Sequence, residues 1–400
     1  MGPLAGIRIL DLTTVMMGPS ATQVLAEMGA DVIKVEAPGG DPVRYIGPAR
    51  HHGMGALFLN ANGSKRSIVM DLKSEGGRRA LLKLCEGADV LAYNIRPQAM
   101  ARLGLGYEDV RAVRPDIIYA GMFGYGQDGP YAARPAYDDL IQGAALLPHL
   151  IARAGDGTPR YVPAAIADRI VGLAAVGAIN GALFHRQRTG QGQRVDVPMF
   201  ETMVGLTLGD HLGGLTFDPP IGAGGYQRLL SPERRPYRTR DGYICALVYN
   251  DKQWKSFYDA TGRGAAFAAD PRLASIKQRT EHIDALYAEV AAEFLTRTTA
   301  EWMAVLEKAD IPFVPVHDFE TIMEDPHLKA VNFMPVVDHP SEGPIRKIQP
   351  ASTWSVTQPV PHRPAPRLGE HTVELLREAG LGQSDIDGLI AEGAVEAETR

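Results

Sequence analysis

Short apolar runs alternate with amphipathic segments along the first third of the chain. Each apolar run predicts a buried strand, and each amphipathic segment that follows predicts a helix of about ten residues. The predicted strands are 7–12, 31–36, 67–71, 90–93 and 117–122, and the predicted helices are 18–29, 76–85 and 97–103. Strands and helices that alternate in this order are typical of an open, parallel, doubly wound α/β sheet.

The pattern changes near residue 215, where glycine and proline become frequent, so residues 216–236 are predicted to be a linker. The apolar pattern resumes in 237–330 with strands and helices typical of a smaller α+β domain. A second passage rich in proline and glycine then leads to two short helices. The predicted organisation is therefore a large Rossmann-like domain in 1–215, a linker, the small domain in 237–330, and a linker that returns to the large domain in 331–400.

The most apolar stretch, residues 164–184, carries an aspartate where its helix is predicted to begin. Gly190 fits the left-handed position that ends a helix. Asp168 fits the N-cap, where its carboxylate would accept backbone N–H bonds and face the positive end of the helix dipole. Both effects would keep the carboxylate ionised and fixed in direction, as a nucleophile requires. The stretch alone leaves two interpretations open, a structural cap and a nucleophile.

Composition and charge narrow the class of protein. Hydrophobic residues make up 45% of the chain, charged residues 22%, and the net charge is −6, which is typical of a soluble protein without a nucleic-acid partner. Two distant cysteines, Cys85 and Cys245, favour a reducing compartment. No signal peptide is apparent at the start, and Asp168, Arg169 and Asn180 make the most apolar stretch too polar for a membrane span. We therefore expect a cytoplasmic protein with no membrane partner.

Cofactor motifs are weak in this chain. Glu36 ends the second predicted strand at the distance of a ribose-binding acid, but the preceding turn has one glycine, Gly18, where a dinucleotide site needs three. The eleven histidines are scattered at spacings that do not fit a metal site. The sequence therefore predicts no dinucleotide cofactor and no metal.

Cationic and polar residues are predicted in three consecutive loops at the carboxyl edge of the sheet. They are Lys65, Arg66, Lys73, Asn94, Arg96 and Arg102. Loops beyond the carboxyl ends of parallel strands converge on one crevice, where guanidinium and ammonium groups bind phosphate. The two interpretations are a shared anion site and ordinary surface charge.

Several segments together carry a family pattern that runs nearly from end to end. The long ones are LAGIRILDLTTVMMGPSATQVLAEMGADVIKVEAPGGDPVR at 4–44, NGSKRSIVMDLKSEGGRRALLKL at 62–84, NIRPQAMARLGLGYEDV at 94–110 and IADRIVGLAAVGAINGALFHRQRTGQGQRVDVPMFETM at 166–203. The short ones are DGYICALVYNDKQW at 241–254, IPFVPV at 311–316 and APRLGEHT at 365–372. The chain resembles class III CoA-transferases, the group of formyl-CoA and carnitine CoA-transferases that also includes α-methylacyl-CoA racemases.

The resemblance implies a fold, a reaction and a set of site residues. It implies a homodimer of two interlinked rings, an acyl-CoA donor and a free carboxylic acid as acceptor. The nucleophilic aspartate of the family falls on Asp168. Its contacts with coenzyme A and the thioester fall on seven residues, namely Leu72, Lys73, Asn94, Arg96, Arg102, Tyr137 and Asp138. Asp168 would attack the thioester and pass through an aspartyl anhydride and an aspartyl-CoA thioester.

Two other functions stay open. Racemases of this family place a histidine–aspartate pair where this chain has Tyr137 and Asp138, and they need a base on each face of the α-carbon. Tyrosine has a pKa of about 10 and is a poor base for that exchange, which favours a transferase. A non-catalytic CoA-binding protein would keep the cationic loops and have no need of Asp168.

The chain departs from formyl-CoA transferases around the predicted site. Met16 stands where those enzymes carry a glutamine, and Ala37 stands where they carry an arginine. The glycine-rich loop that covers the intermediate in those enzymes has no clear counterpart, because the run at 222–225 is short and differently placed. Met16 and Met17 favour an acyl group more apolar than formyl or oxalyl.

Overall fold

The structure is a computed structural model that describes residues 2–398, and the chain forms two compact units. The first unit takes its described residues from Met1–Ala145, Val162–Gly205 and His327–Arg400. The second consists of Leu146–Tyr161 and Leu206–Pro326. These bounds differ from the predicted domains 1–215 and 237–330, because 146–161 and the predicted linker 216–236 both belong to the second unit.

Strands and helices largely alternate over residues 8–198, and the bounds that follow cover both units. The strands are β1 (Arg8–Leu12), β2 (Asp31–Glu36), β3 (Lys65–Met70), β4 (Val90–Tyr93), β5 (Ile118–Phe123), β6 (Gln193–Pro198), β7 (Tyr237–Arg238), β8 (Tyr243–Ala246), β9 (Phe313–Pro315), β10 (Val336–His339), β11 (Gly343–Arg346) and β12 (Val395–Glu396). The helices are α1 (Met17–Glu27), α2 (Ala56–Ala61), α3 (Glu75–Cys85), α4 (Pro97–Arg102), α5 (Tyr107–Val113), α6 (Asp138–Ala144), α7 (Leu147–Ala154), α8 (Ile166–Thr189), α9 (Met199–His211), α10 (Asp251–Ala260), α11 (Gly264–Ala269), α12 (Ile276–Glu281), α13 (Ile283–Phe294), α14 (Thr299–Lys308), α15 (Phe319–Ile322), α16 (Pro326–Ala330), α17 (Thr372–Glu378) and α18 (Gln383–Ala391).

A seven-stranded sheet forms the centre of the first unit, in the order β12–β3–β2–β1–β4–β5–β6. Strands β1 to β6 are parallel, and β12 pairs antiparallel with β3 at one edge. The order reverses between β1 and β4, where open α/β sheets bind ligands beyond the carboxyl ends of their strands. The predicted mixed α/β fold with a large, mainly parallel sheet is confirmed.

Two parts of this sheet differ from the sequence prediction. β3 begins at Lys65 and is buried along its whole length, so Lys65 and Arg66 belong to the strand and not to the preceding loop. β6 was not predicted, because it is an edge strand in which the exposed residues Arg194 and Asp196 interrupt the apolar pattern.

The second unit has its own core. Its small antiparallel sheet has the order β7–β8–β9, and helices α10 to α14 belong to the same unit. Four aromatic side chains at its centre, Trp254, Phe257, Phe294 and Trp302, are at most 1% exposed. The buried indole N–H of Trp302 donates to the carbonyl oxygen of Phe294 at 2.8 Å, which satisfies that buried donor.

The long helix α8 packs against α1 in the first unit. A Cβ atom on Gly172 would lie 2.8 Å from the carbonyl oxygen of Met17 and 2.9 Å from Oγ of Ser20, so only glycine permits this approach. Within residues 2–398, α8 alone is long and apolar enough to pass a length-and-composition test for a membrane span, and 39% of its most apolar window is buried. Its close packing against α1 is typical of a core helix.

Candidate active site

A cavity of about 390 Å³ opens at the carboxyl edge of the sheet, where the strand order reverses. Its walls come from segments that follow β1, β4 and β5 and from the first turns of α6 and α8. All of these segments belong to the first unit. The size lies within the range of small-molecule sites.

Asp168 lines this cavity, but it does not cap its helix. The N-cap of α8 is Ala165, so Asp168 is the third residue of the helix, inside the first turn. The predicted N-cap role is therefore wrong, whereas Gly190 does end the helix in the left-handed conformation, with φ of 74°. The first turn still faces the positive end of the helix dipole, which attracts a carboxylate.

Asp138 fixes the backbone beside Asp168. Its Oδ1 accepts the backbone N–H of Asp168 at 2.9 Å, and its Oδ2 accepts Nε2 of Gln142 at 2.6 Å. Gln142 is fully buried, and its Oε1 accepts the backbone N–H of Val162 at 2.9 Å. The start of α6 is thereby tied to the start of α8, and both oxygens of Asp138 are occupied.

Among residues 2–398, the carboxylate of Asp168 has no hydrogen-bond or ion-pair partner of this kind. Burial and the neighbouring charge of Asp138 raise the pKa of Asp168 to about 6, and the nearby Arg169 offsets only part of the rise. The sequence led us to expect a helix terminus that favours the ionised form. The structure shows that burial outweighs it, so at neutral pH the ionised carboxylate is poorly stabilised. A poorly solvated carboxylate is a better nucleophile than one that is paired with a cation.

Asn94 and Arg96 reach the same cavity from the segment after β4. Asn94 clamps the backbone of Thr14, since its Oδ1 accepts the Thr14 N–H at 3.0 Å and its Nδ2 donates to the Thr14 carbonyl at 2.9 Å. Arg96 is exposed and donates to the carbonyl of Ala133 at 3.4 Å. In the part of the chain that the structure describes, its guanidinium has no carboxylate within ion-pair distance, so it is available to an anionic ligand.

Tyr137 and Asp138 also line the cavity, as the sequence suggested. Tyr137 precedes the first residue of α6, and its side chain is 69% exposed. Among the described residues that line the cavity, none is a histidine. The chain therefore offers no imidazole base at this position.

Three other predicted contacts lie outside the cavity. Leu72 packs against the main core, and exposed Lys73 follows β3 two strands away from the reversal. Arg102 is an exposed residue in the last turn of α4. None of the three lines the cavity of Asp168, so the geometry brings together only part of the predicted anion site.

Lys65 and Arg66 are not available to an anion, which corrects the expectation from the sequence. Nζ of Lys65 is fully buried and donates to Oδ2 of Asp11 at 3.0 Å. Arg66 pairs with Asp31, Glu374 and Glu378. Both cations stabilise the sheet.

Sequence analysis missed two charged residues beneath the cavity. Lys34, inside β2, and Asp41, just after it, form a fully buried ion pair of 2.9 Å next to the segment that follows β1. The signal was present, because a lysine in the otherwise apolar run around residues 32–35 needs a buried partner.

Among residues 2–398, no group of three histidine, cysteine, aspartate or glutamate side chains is arranged to hold a metal ion.

Known proteins of similar sequence and structure identify the family. A model described as CoA-transferase family III matches residues 4–372. A protein of Fusarium pseudograminearum named acyl-CoA transferase is 35% identical over 97% of this chain and 88% of its own length. A succinate–glutarate CoA-transferase of Agrobacterium fabrum is 34% identical over 94% of this chain and 95% of its own. The crystal structure of Rv3272 from Mycobacterium tuberculosis superposes with a TM-score of 0.80 at 30% identity, over 93% of this chain and 98% of that chain.

These matches confirm the resemblance seen in the sequence. The family model spans most of the chain, and relatives that align over nearly all of it are named as enzymes that transfer coenzyme A. The chain therefore belongs to CoA-transferase family III and is an acyl-CoA:carboxylate CoA-transferase.

Proposed function

We propose that Asp168 is the nucleophile of this transferase and that coenzyme A passes through it. The observation that carries the proposal is a carboxylate in the cavity at the strand reversal whose pKa is raised to about 6 by burial and by Asp138. Such a group is ionised at neutral pH yet gains by forming a covalent bond, because the bond removes its charge.

The reaction is an exchange of acyl and thiolate groups at Asp168. A carboxylate oxygen of Asp168 attacks the thioester carbonyl of the donor, and the C–S bond breaks. CoA thiolate departs, and a mixed anhydride of Asp168 and the donor acid remains. The thiolate then attacks the aspartyl carbonyl, so that the donor acid is released and an aspartyl-CoA thioester forms. The acceptor carboxylate then displaces thiolate from this thioester, and thiolate captures the new acyl group and frees Asp168.

No step of this exchange takes up or releases a proton, so the site needs no general acid or base. The hydrogen bonds of Asp138 fit this requirement, because its two oxygens already accept hydrogen bonds from the Asp168 N–H and from Nε2 of Gln142. A racemase would instead need a base on each face of the α-carbon. The occupied Asp138 and the tyrosine at residue 137 therefore support transfer over racemisation.

The residues expected to hold coenzyme A divide into two groups. Asn94, Arg96, Tyr137 and Asp138 line the cavity of Asp168 and fit the thioester end of the substrate. Leu72, Lys73 and Arg102 lie outside it, and we propose that they meet the distant adenosine and phosphate end. A homodimer of interlinked rings and a cytoplasmic location remain predictions from the resemblance and from the sequence.

We propose a dicarboxylic acid as acceptor. The Agrobacterium relative is named for succinate and glutarate. In this chain Arg96 and Arg134 line the cavity, and neither has a carboxylate within ion-pair distance among residues 2–398. A second carboxylate on the substrate would fit such a guanidinium. Succinyl-CoA with glutarate is therefore the first pair to assay.

The test replaces the proposed nucleophile. Asp168→Ala should lower the rate of transfer from succinyl-CoA by at least about a thousandfold, since covalent catalysis is lost, and should leave CoA affinity within about threefold. Incubation of the unaltered enzyme with succinyl-CoA and hydroxylamine should place a hydroxamate on the peptide that carries Asp168, detected by mass spectrometry.

The matched control is Asp139→Ala, which removes an exposed carboxylate from the first turn of α6 that does not line the cavity. Its transfer rate should stay within twofold of the unaltered enzyme. An Asp168→Ala variant that retains transfer would contradict the proposal. Deuterium entry at the α-carbon of a 2-methylacyl-CoA would favour the racemase instead.

A further inference from the structure

One wall of the cavity contains a residue in an unfavourable backbone conformation. Val15 has a φ of 69°, in the left-handed region. A β-branched residue is rarely found there, because its Cβ substituents crowd the backbone. Its side chain is 37% exposed, so packing of that side chain does not account for the conformation. Other contacts must hold the backbone at this point.

The buried ion pair of Lys34 and Asp41 provides those contacts. The N–H of Val15 donates to both carboxylate oxygens of Asp41, at 3.1 and 3.3 Å. Nζ of Lys34 donates to Oδ2 of Asp41 at 2.9 Å and to the carbonyl oxygen of Thr13 at 2.9 Å. Both charged side chains are 0% exposed. One ion pair thus binds the backbone on both sides of Thr14, whose own N–H and C=O are bound by Asn94.

The next two residues have backbone donors without partners. Met16 and Met17 line the cavity with Asp168, and no side chain caps the start of α1. In the described part of the chain, no acceptor binds the N–H groups of Met16 or Met17. The backbone is therefore held tightly up to Val15, and the two N–H groups that follow belong to buried residues that line the cavity and have no partner among the described residues.

We propose that Asp41 and Lys34 are positioning residues for CoA transfer, which hold Val15 in the left-handed conformation and thereby fix the Met16–Met17 backbone in the cavity of Asp168. The proposal rests on Asp168 as the nucleophile. Each tetrahedral intermediate carries a negative oxygen, and donors held in place before reaction stabilise it more than donors that must be ordered. The positioning pair should therefore act on kcat more than on KM.

The first test weakens the hydrogen bonds between the Val15 N–H and Asp41. Asp41→Asn keeps the shape of the side chain but removes the charge that binds Lys34 and the Val15 N–H. We expect kcat for succinyl-CoA and glutarate to fall by about 30- to 100-fold with KM within about threefold, because the strained turn is no longer held. The matched control is Asp31→Asn, which alters an ion-paired residue at the opposite end of β2 and should leave kcat within twofold.

The decisive measurement is rescue. Glycine adopts a positive φ at no steric cost, so Val15→Gly should restore about tenfold of the kcat lost by Asp41→Asn when the two changes are combined. Val15→Gly alone serves as the reference for this comparison. If the double variant is no faster than Asp41→Asn, Asp41 only supports the fold and the positioning role is wrong.

A second variant covers the case in which Asp41→Asn does not fold. Val15→Pro keeps both charged side chains of the buried pair, but its ring fixes φ at about −65° and removes the N–H that Asp41 binds. We expect a fall in kcat of about 100-fold or more with CoA binding retained, because both the positive φ and the bond to Asp41 are lost. A kcat within twofold of the unaltered enzyme would overturn the proposal. The hydroxamate assay distinguishes the failure of the two hypotheses. If the unaltered enzyme forms no hydroxamate, Asp168 is not the nucleophile. If the double variant shows no rescue while the hydroxamate forms, only the positioning role of Asp41 and Lys34 is wrong.

Discussion

Two aspartates of the first unit show opposite uses of a buried carboxylate. Asp11, in β1, is 0% exposed and contacts Lys65, Thr13 and Thr22. Burial alone would raise its pKa, but Lys65, Lys34 and the hydroxyl groups outweigh it and lower the pKa to about 2. Asp168 is half-buried, lacks such partners, and has a pKa raised to about 6.

The difference shows which carboxylate can react. Asp11 is stabilised as an anion, so a covalent bond at its oxygen would cost the loss of its ion pair and hydrogen bonds. Asp168 is destabilised as an anion, so the same bond relieves its burial. Its ion pair makes Asp11 a structural residue of the sheet, whereas the lack of an ion pair makes Asp168 a candidate nucleophile.

The largest expected effect on stability is at Asp11. Asp11→Asn leaves Lys65 buried without its carboxylate, and we expect the free energy of unfolding to fall by about 3–5 kcal/mol. Urea denaturation followed by circular dichroism measures this. Adding Lys65→Met should recover part of the loss, since both charges are then gone. Glu108→Gln, which breaks an exposed pair with Arg111, is the control and should cost less than about 1 kcal/mol.

The opposite sign is expected at Asp168. Its carboxyl pKa rises from 3.8 to about 6 on folding, so above pH 6 the folded state holds an unfavourable charge. Asp168→Asn should therefore raise the free energy of unfolding at pH 7 by about 2–3 kcal/mol while it abolishes transfer. The gain should shrink as the pH falls through 6 and vanish near 3.8. An Asn variant less stable than the unaltered enzyme at pH 7 would contradict the unpaired character of Asp168.

The smallest expected effect is on the pH profile. The proposed attack needs ionised Asp168, so kcat/KM should be level above pH 6 and should fall by about tenfold per pH unit below it. CoA affinity, measured separately at each pH, removes the contribution of the substrate phosphates. A profile that stays level down to pH 4.5 would place Asp168 among the paired carboxylates such as Asp11.

The sequence predicted the positions of strands better than it predicted whether charged side chains are buried and paired. Apolar runs located β2 and β4 because their strands are buried on both faces. Lys65 and Arg66 were assigned to a loop because charge next to an apolar run is usually exposed. Their partners, Asp11 and Asp31, come from other strands, so only the register of the sheet shows that these cations are buried.

The candidate site was predicted in part for the same reason. Asp168 was singled out at a predicted helix start and Asn94 in a predicted polar loop, the resemblance added a site role for Tyr137, and the structure places all three in one cavity. The hydrogen bonds from the Val15 N–H to Asp41 could not be predicted. They depend on the positive φ of Val15 and join residues that are 26 positions apart.

Gly172 lies one helical turn after Asp168 and allows α8 to touch α1. The spacing between the proposed nucleophile and the Met16–Met17 wall is thus set by a missing methyl group. A substitution at a side chain such as Met16 could change which carboxylic acid a related enzyme accepts, because it leaves the contact between α1 and α8 intact. An alanine at position 172 would shift the proposed nucleophile itself. Changes of substrate at the cavity wall therefore depend on Gly172, a residue that does not itself line the cavity.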